Sequence, residues 1–301
     1  MDGAEQRVGV DMRQYRKTLI FTLLIGSILF LASCGKKTGD PEVYLGGNVI
    51  EKDGQIVVEG ESNLKEGSRV IGKVIVDEDD VLSDTTELVD EKGNFNMEMD
   101  HHEYGDAEVV ILFDFLESHQ EEEIIEQYGE GGEKLEGPYV YLDEHWEVDQ
   151  VNKKAEVRLS LSADGDEKKH KFEEPVWQER PEDYGDPRVW FEVDDITEDG
   201  EFFYLKGSTN LLEGSKISGW YSDRWGATDE TRINPDGTFE LKIEYKYSED
   251  PYFTIEFSPY DSQWETIRET YGHDGEKLVG NLVESSRDSQ SLIAIIEYEH
   301  E

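Results

Sequence analysis

The chain has 301 residues, enough for about two domains of ordinary size. Its 29 basic and 72 acidic residues give a formal net charge of −43, which argues against nucleic acid as a partner, because binding it relies on cations that neutralise phosphates. One cysteine excludes an internal disulfide and a multi-thiolate metal site, while 15 Tyr, 12 Phe and 6 Trp in short runs mark a folded protein with an acidic surface rather than a disordered one.

The chain opens on an address. Arg13, Arg16 and Lys17 precede an apolar run from Leu19 to Ala32 that only Thr22, Gly26 and Ser27 interrupt. As a helix that run is ~21 Å long, short for a bilayer core of ~30 Å. A basic segment, a short apolar run and small residues after it read as a secretory signal over residues 1–33. Asp2, Glu5 and Asp11 are unusual before such a segment, so translation from Met12 rather than Met1 is expected. The run ends in Leu31-Ala32-Ser33-Cys34-Gly35, which resembles the lipobox of bacterial lipoproteins. The resemblance implies diacylglyceryl transfer to the Cys34 thiol and cleavage before it. Two acyl chains give stable membrane anchoring where one is marginal. Loss of residues 1–33 removes four basic and three acidic residues, taking the charge to −44. Residues 34–42, with Gly39 and Pro41, then form a polar tether.

The remainder is a duplication. Tyr128-Gly129-Glu130-Gly131-Gly132-Glu133-Lys134-Leu135-Glu136-Gly137 returns as Tyr271-Gly272-His273-Asp274-Gly275-Glu276-Lys277-Leu278-Val279-Gly280, with seven of ten positions identical. Val43-Tyr44-Leu45 matches Val189-Trp190-Phe191, and both copies continue into a hairpin turn, Lys52-Asp53-Gly54 and Glu198-Asp199-Gly200. Strand-like runs follow at Ile56 to Gly60 and Phe202 to Gly207. Asn63-Leu64-Lys65-Glu66-Gly67-Ser68 matches Asn210-Leu211-Leu212-Glu213-Gly214-Ser215, a turn with one apolar plug. Strands are predicted from Val70 to Val76, Ile217 to Tyr221, Val109 to Phe115 and Phe253 to Phe257. Phe239 to Tyr245 alternates with period two, which gives one buried and one wet face. Glu121 to Tyr128 and Trp264 to Tyr271 are ambiguous between a helix turn and a strand; strand is favoured, because the segment is short and Ile267, Thr270 and Tyr271 are β-formers. Each copy closes on a strand, Ala155 to Leu161 and Leu292 to Tyr298.

Short strands with glycine turns and no long helical period predict an all-β protein: two tandem β-sandwich (Ig-like) modules after the signal and anchor. Module 1 spans residues 43–163 and module 2 residues 188–301. Residues 164–187, charged and carrying Pro175, Pro181 and Pro187, read as a linker.

No catalytic motif appears. The Gly-x-x-Gly-Glu-Lys-Leu turn lacks the following helix that a phosphate cradle needs, so it reads as a tight turn with solvated Glu133 and Lys134. Asp77-Glu78-Asp79-Asp80 and Asp164-Gly165-Asp166-Glu167 lack EF-hand spacing and read as solvated loops. His101 and His102 are adjacent, so on a strand they point to opposite faces. The candidate ligand patch is Trp220, Tyr221, Asp223, Arg224 and Trp225, where aromatics beside Asp and Arg suit stacking on a sugar ring or peptide group; the alternative is that Trp220 or Tyr221 fills the second core. No catalytic residue, metal site or cofactor is expected.

These observations point to a protein anchored through Cys34 at the extracytoplasmic face of the cell membrane, binding or scaffolding in the envelope. Its plan is similar to that of Gram-positive-type surface lipoproteins of unknown function, which implies location more than activity. Cell-wall glycan or a membrane protein is the expected partner. The rival class is an envelope glycan hydrolase, for which two carboxylates suffice and none can be singled out among so many. The acidity itself suits high external salt or pH, where it keeps the protein hydrated.

Overall fold

The strand-forming runs pair almost wholly within their own copy of the repeat. The computed structural model describes residues 37–52, 54–77, 80–101, 107–116, 119–144, 151–162, 169–222, 227–245, 252–286 and 292–299. The first copy contains β1 (Leu45–Lys52), β2 (Gln55–Ser62), β3 (Arg69–Asp77), β4 (Asp80–Leu88), β5 (Asn94–Asp100), β6 (Ala107–Phe113), α1 (Glu122–Tyr128), β7 (Val140–Glu144), β8 (Val151–Leu161) and β9 (Lys169–Lys171). The second contains β10 (Phe191–Glu198), β11 (Phe202–Thr209), β12 (Lys216–Tyr221), β13 (Thr228–Arg232), β14 (Thr238–Glu244), β15 (Tyr252–Phe257), α2 (Glu265–Tyr271), β16 (Val283–Ser285) and β17 (Leu292–Glu299).

Each copy is a β-sandwich. Module 1 packs sheet β5-β2-β1-β9 on sheet β4-β3-β6-β8-β7; module 2 packs β14-β11-β10 on β13-β12-β15-β17-β16. All these ladders are antiparallel. The architecture is all-β, as the short strands and turns predicted. Period two is visible in β5 and β14, whose residues alternate between buried and mostly exposed. The buried faces build two separate cores. The first includes Val49, Val58, Met97, Ile111, Phe113 and Tyr128; the second includes Phe203, Leu205, Leu241, Ile255, Phe257 and Tyr271. Each such side chain contributes roughly 1.5–3 kcal/mol on burial. The sheets approach closely at Gly72 and Gly219, where an added Cβ would lie 2.6 Å from Met97 Sδ and 2.6 Å from Leu241 Cδ1.

Two segments differ from expectation. Glu121 to Tyr128 and Trp264 to Tyr271 take the less favoured of their two readings and form two-turn helices. Only two positions per helix, Ile124 with Tyr128 and Ile267 with Tyr271, face the core, so no helical period is legible in seven residues. Tertiary bonds override the β-propensity: Tyr128 Oη accepts Lys65 N–H at 3.0 Å, and Tyr271 Oη accepts Leu212 N–H at 3.1 Å. Part of the stretch expected as a linker belongs to module 1. Its β9 pairs with β1, and Phe172, directly after it, is in the first core.

The two modules also begin earlier than their first strands suggest. Gly39-Asp40-Pro41 and Gly185-Asp186-Pro187 occupy equivalent places. Gly39 N–H donates to Asn63 O at 2.7 Å and Gly185 N–H to Asn210 O at 2.6 Å. The tether and the end of the linker are therefore the entry turns of the modules. Residues Thr38–Glu301 form one compact unit. Among the described residues no helix is long and apolar enough to cross a membrane.

Candidate functional site

The repeated glycine motif proves to be an anchor for its helix. Gly129 and Gly272 have φ of 97° and 89°, and each returns its N–H to the helix, to Ile125 O at 2.7 Å and Arg268 O at 2.8 Å. A Cβ on either glycine would strike the carboxylate of Glu133 or Glu276. Those carboxylates fold back onto backbone: Glu133 Oε2 accepts Gly131 N–H and Glu276 Oε2 accepts Asp274 N–H, both at 3.1 Å. Bonds to their own amides and to these neighbours hold both carboxyls below the ordinary carboxylate range. Lys134 Nζ donates to Glu126 O at 2.9 Å and Lys277 Nζ to Glu269 O. The Glu and Lys of the motif are exposed, as expected, and they also cap the turn and the helix.

A glutamine does equivalent work in each copy. Gln120 bridges Arg69 N–H (3.0 Å), Arg69 O (2.8 Å) and Asp114 O (2.9 Å). Gln263 bridges Lys216 N–H (2.8 Å), Lys216 O (2.7 Å) and Ser258 O (3.0 Å). The signal was present in the sequence, since the two lie at the same 143-residue offset as the glycine motif.

The glycine and glutamine motifs the copies share are thus structural, and the contacts between the modules are built differently. The segment between them is a strap. Trp177 Nε1–H donates to Pro138 O at 2.7 Å and its indole meets the Tyr141 ring edge-on at 5.6 Å. Three residues on, the strap grips module 2. Arg180 Nε donates to Pro235 O, and its guanidinium lies 4.6 Å from the Tyr184 ring centroid. Tyr184 Oη accepts Glu213 N–H at 2.6 Å.

Glu213 is the centre of the joint. Its side chain is 7% exposed. Oε1 accepts Leu142 N–H from β7 at 2.7 Å, and Oε2 accepts Arg180 Nη2 at 3.1 Å. Burial pushes the Glu213 carboxyl up, while the Leu142 N–H and Arg180 pull against that. Beside it, Glu144 at the end of β7 caps α2 of the other module. Glu144 Oε1 accepts Glu265 N–H at 2.6 Å and Oε2 accepts Thr266 Oγ1–H at 2.7 Å. Trp264, the residue before α2, supplies no cap of its own.

A cleft of about 550 Å³ lies along this joint, with Tyr141, Lys153, Trp177, Arg180 and Glu213 among its walls. That size is in the range of small-ligand sites. Three of its charged groups are engaged: Lys153 Nζ donates to Leu135 O at 3.0 Å, and Arg180 and Glu213 hold each other. Each Glu213 oxygen holds one structural partner. What the cleft offers is aromatic surface between fixed polar groups, an arrangement for binding.

Of the ligand patch expected from sequence, Trp220 and Tyr221 are described, and both are on β12. Tyr221 packs among Phe203 and Phe253 in the second core. Trp220 is on the opposite face of β12, 9% exposed. Asp223, Arg224 and Trp225 lie outside the described residues, as do Cys34, Glu78 and Asp79, His102 and 164–167. Among the described residues no group of three or more His, Cys, Asp or Glu is placed to hold a metal ion.

Compared with known proteins, the chain matches no family model and no curated protein. Among solved structures it is similar to one described as the crystal structure of a tetra-tandem repeat in the extending region of a large adhesion protein. The identity is 13%, over 71% of this chain and 45% of that one, with a TM-score of 0.21. The chain therefore spans less than half the length of that neighbour, and the superposition is too loose to carry an argument.

Proposed function

We propose that this is a lipid-anchored protein of the cell envelope, held by a diacylglyceryl group on Cys34 at the extracytoplasmic face of the membrane. It works by binding or scaffolding rather than by catalysis. The observation that carries the scaffolding part is the joint: Glu213, Glu144 and the Trp177–Arg180 strap fix two modules into one unit through bonds that neither module repeats internally. The anchor rests on Leu31-Ala32-Ser33-Cys34 after the apolar run. Cell-wall glycan or a membrane protein fits as partner, and the acidic surface opposes collapse onto anionic lipid.

The test is fractionation of bacteria fed labelled palmitate and producing wild type or Cys34→Ser. Label and membrane retention are expected for wild type, with neither in the variant. Equal retention of the unlabelled variant would remove the anchor from the proposal.

A further inference from the structure

The duplication supplies its own template for a binding surface. In module 1 the outer edge of β1 is covered by β9, with Asn48 opposite Lys171, Val49 opposite His170 and Ile50 opposite Lys169. Phe172 then donates its N–H to Gly47 O at 3.2 Å and enters the core, 4% exposed. Under this cover Val49 is fully buried. His170 Nε2 lies 2.9 Å from Glu51 Oε1.

The equivalent edge in module 2 belongs to β10. A bulge at Asp194 shifts the register by one, so cross-strand partners settle the equivalences. Val49 faces Val58 as Ile196 faces Leu205, and Glu51 faces Ile56 as Glu198 faces Phe203. Among the described residues no strand pairs with this edge. Ile196 and Val193 are half-buried, where Val49 is sealed. Glu192, Asp194, Asp195 and Glu198 are exposed along it, and Glu198 repeats the carboxylate that His170 meets in module 1.

We propose that the β10 edge binds an extended basic segment of a partner protein, in antiparallel register, with an aromatic residue behind its cations. Strand addition supplies the backbone bonds, and alternate side chains set specificity. The pattern read from β9 is Lys-x-Lys followed by an aromatic. The cations answer the acidic edge, and the aromatic covers Val193 and Ile196 as Phe172 covers module 1. This deepens the binding reading and rests on it, but not on the anchor.

The probe is a fluorescein-labelled peptide of residues 168–173, Lys-Lys-His-Lys-Phe-Glu, titrated with the full-length protein in detergent and followed by anisotropy. Saturable binding is expected. It should weaken by about ten-fold or more in Asp195→Lys/Glu198→Lys, where like charges oppose the peptide. It should also be lost in Ile196→Pro, which removes an N–H facing the partner. Both charge changes are at exposed positions, and an unchanged thermal midpoint shows that the variant folds. Three results overturn the proposal: no saturable binding, equal binding by the charge variant, or equal binding by a peptide of the same composition with Phe moved to its start. Failure here with the wild type still labelled and membrane-held would remove this surface alone and leave the anchored scaffold standing.

Discussion

Glu213→Ala tests the joint most directly. The substitution leaves Leu142 N–H without its acceptor and Arg180 without its carboxylate. A hydrogen bond from an amide to a charged group contributes roughly 1.5–3 kcal/mol. Leu142 is half-buried, so water partly replaces the lost acceptor and about 2 kcal/mol is the better figure. Arg180 is 50% exposed, and solvent screening limits its share to under about 1 kcal/mol. Urea unfolding followed by tryptophan fluorescence is the assay, because Trp190, Trp220, Trp225 and Trp264 report module 2 and Trp177 reports the strap. With a slope of about 2 kcal/mol per molar, the midpoint falls by roughly 1 M. A midpoint within about 0.2 M of wild type would refute the assignment of Glu213 as the joint's central contact. The sign with pH is also fixed. Burial raises the folded carboxyl, so its contribution is most favourable at or below the ordinary value of 4.5. It declines as pH rises through the raised folded value and is level above that. The stability difference between wild type and Glu213→Gln should therefore shrink as pH rises, and a difference that grows would reverse the argument.

The other predictions follow from the repeated contacts. Tyr128→Phe and Tyr271→Phe each orphan one amide and should cost about 1–2 kcal/mol by thermal unfolding; a cost in one copy only would deny that the motifs are equivalent. Gly219→Ala forces a Cβ onto the branched end of Leu241 and should cost about 1–3 kcal/mol, whereas Gly72→Ala meets flexible Met97 and should cost less. Burial alone would raise the Glu156 carboxyl, but Lys154 and Arg158 outweigh it and hold it at about 2. Its stabilisation, roughly 3 kcal/mol, is present above 4.5 and lost as pH falls towards 2; acid titration of Glu156→Gln should lack that component. Added salt should raise the unfolding midpoint by screening a charge of −43, and a flat salt series would show that self-repulsion is not a significant term.

Legibility followed the range of the interactions. Turns such as Glu198-Asp199-Gly200 are fixed by neighbours in sequence, and Phe239 to Tyr245 carries its own period, so the sandwiches were readable. The helices were not. Tyr128 and Tyr271 are held by amides 63 and 59 residues away, and no local pattern reports that. Gly39-Asp40-Pro41 and Gly185-Asp186-Pro187 hid because glycine and proline beside charge also describe a tether. The joint was least visible. Glu213 is one of 72 acidic residues, and nothing local tells it from Glu66, its exposed counterpart in module 1. Trp177 fell inside a composition that reads as linker.

The duplication explains why the joint does not repeat at the outer faces. The contact is heterologous, head of module 2 on tail of module 1, and such a contact propagates into filaments when both free ends keep the same surfaces. Here they do not. On the tail, Tyr141 and Leu142 correspond to Glu284 and Ser285 of module 2, both exposed. On the head, Leu212 and Thr266 correspond to Lys65 and Glu123 of module 1, which pair with each other across 3.6 Å. A second copy docking by the joint's own geometry would set Glu284 and Ser285 where Tyr141 and Leu142 make the contact, with no Trp177 strap to cover them. Polar side chains buried there without partners would weaken the contact. Repeat arrays face their outer ends with polar residues for the same reason. The aromatic and apolar residues of the joint are therefore specific to the pairing of these two modules.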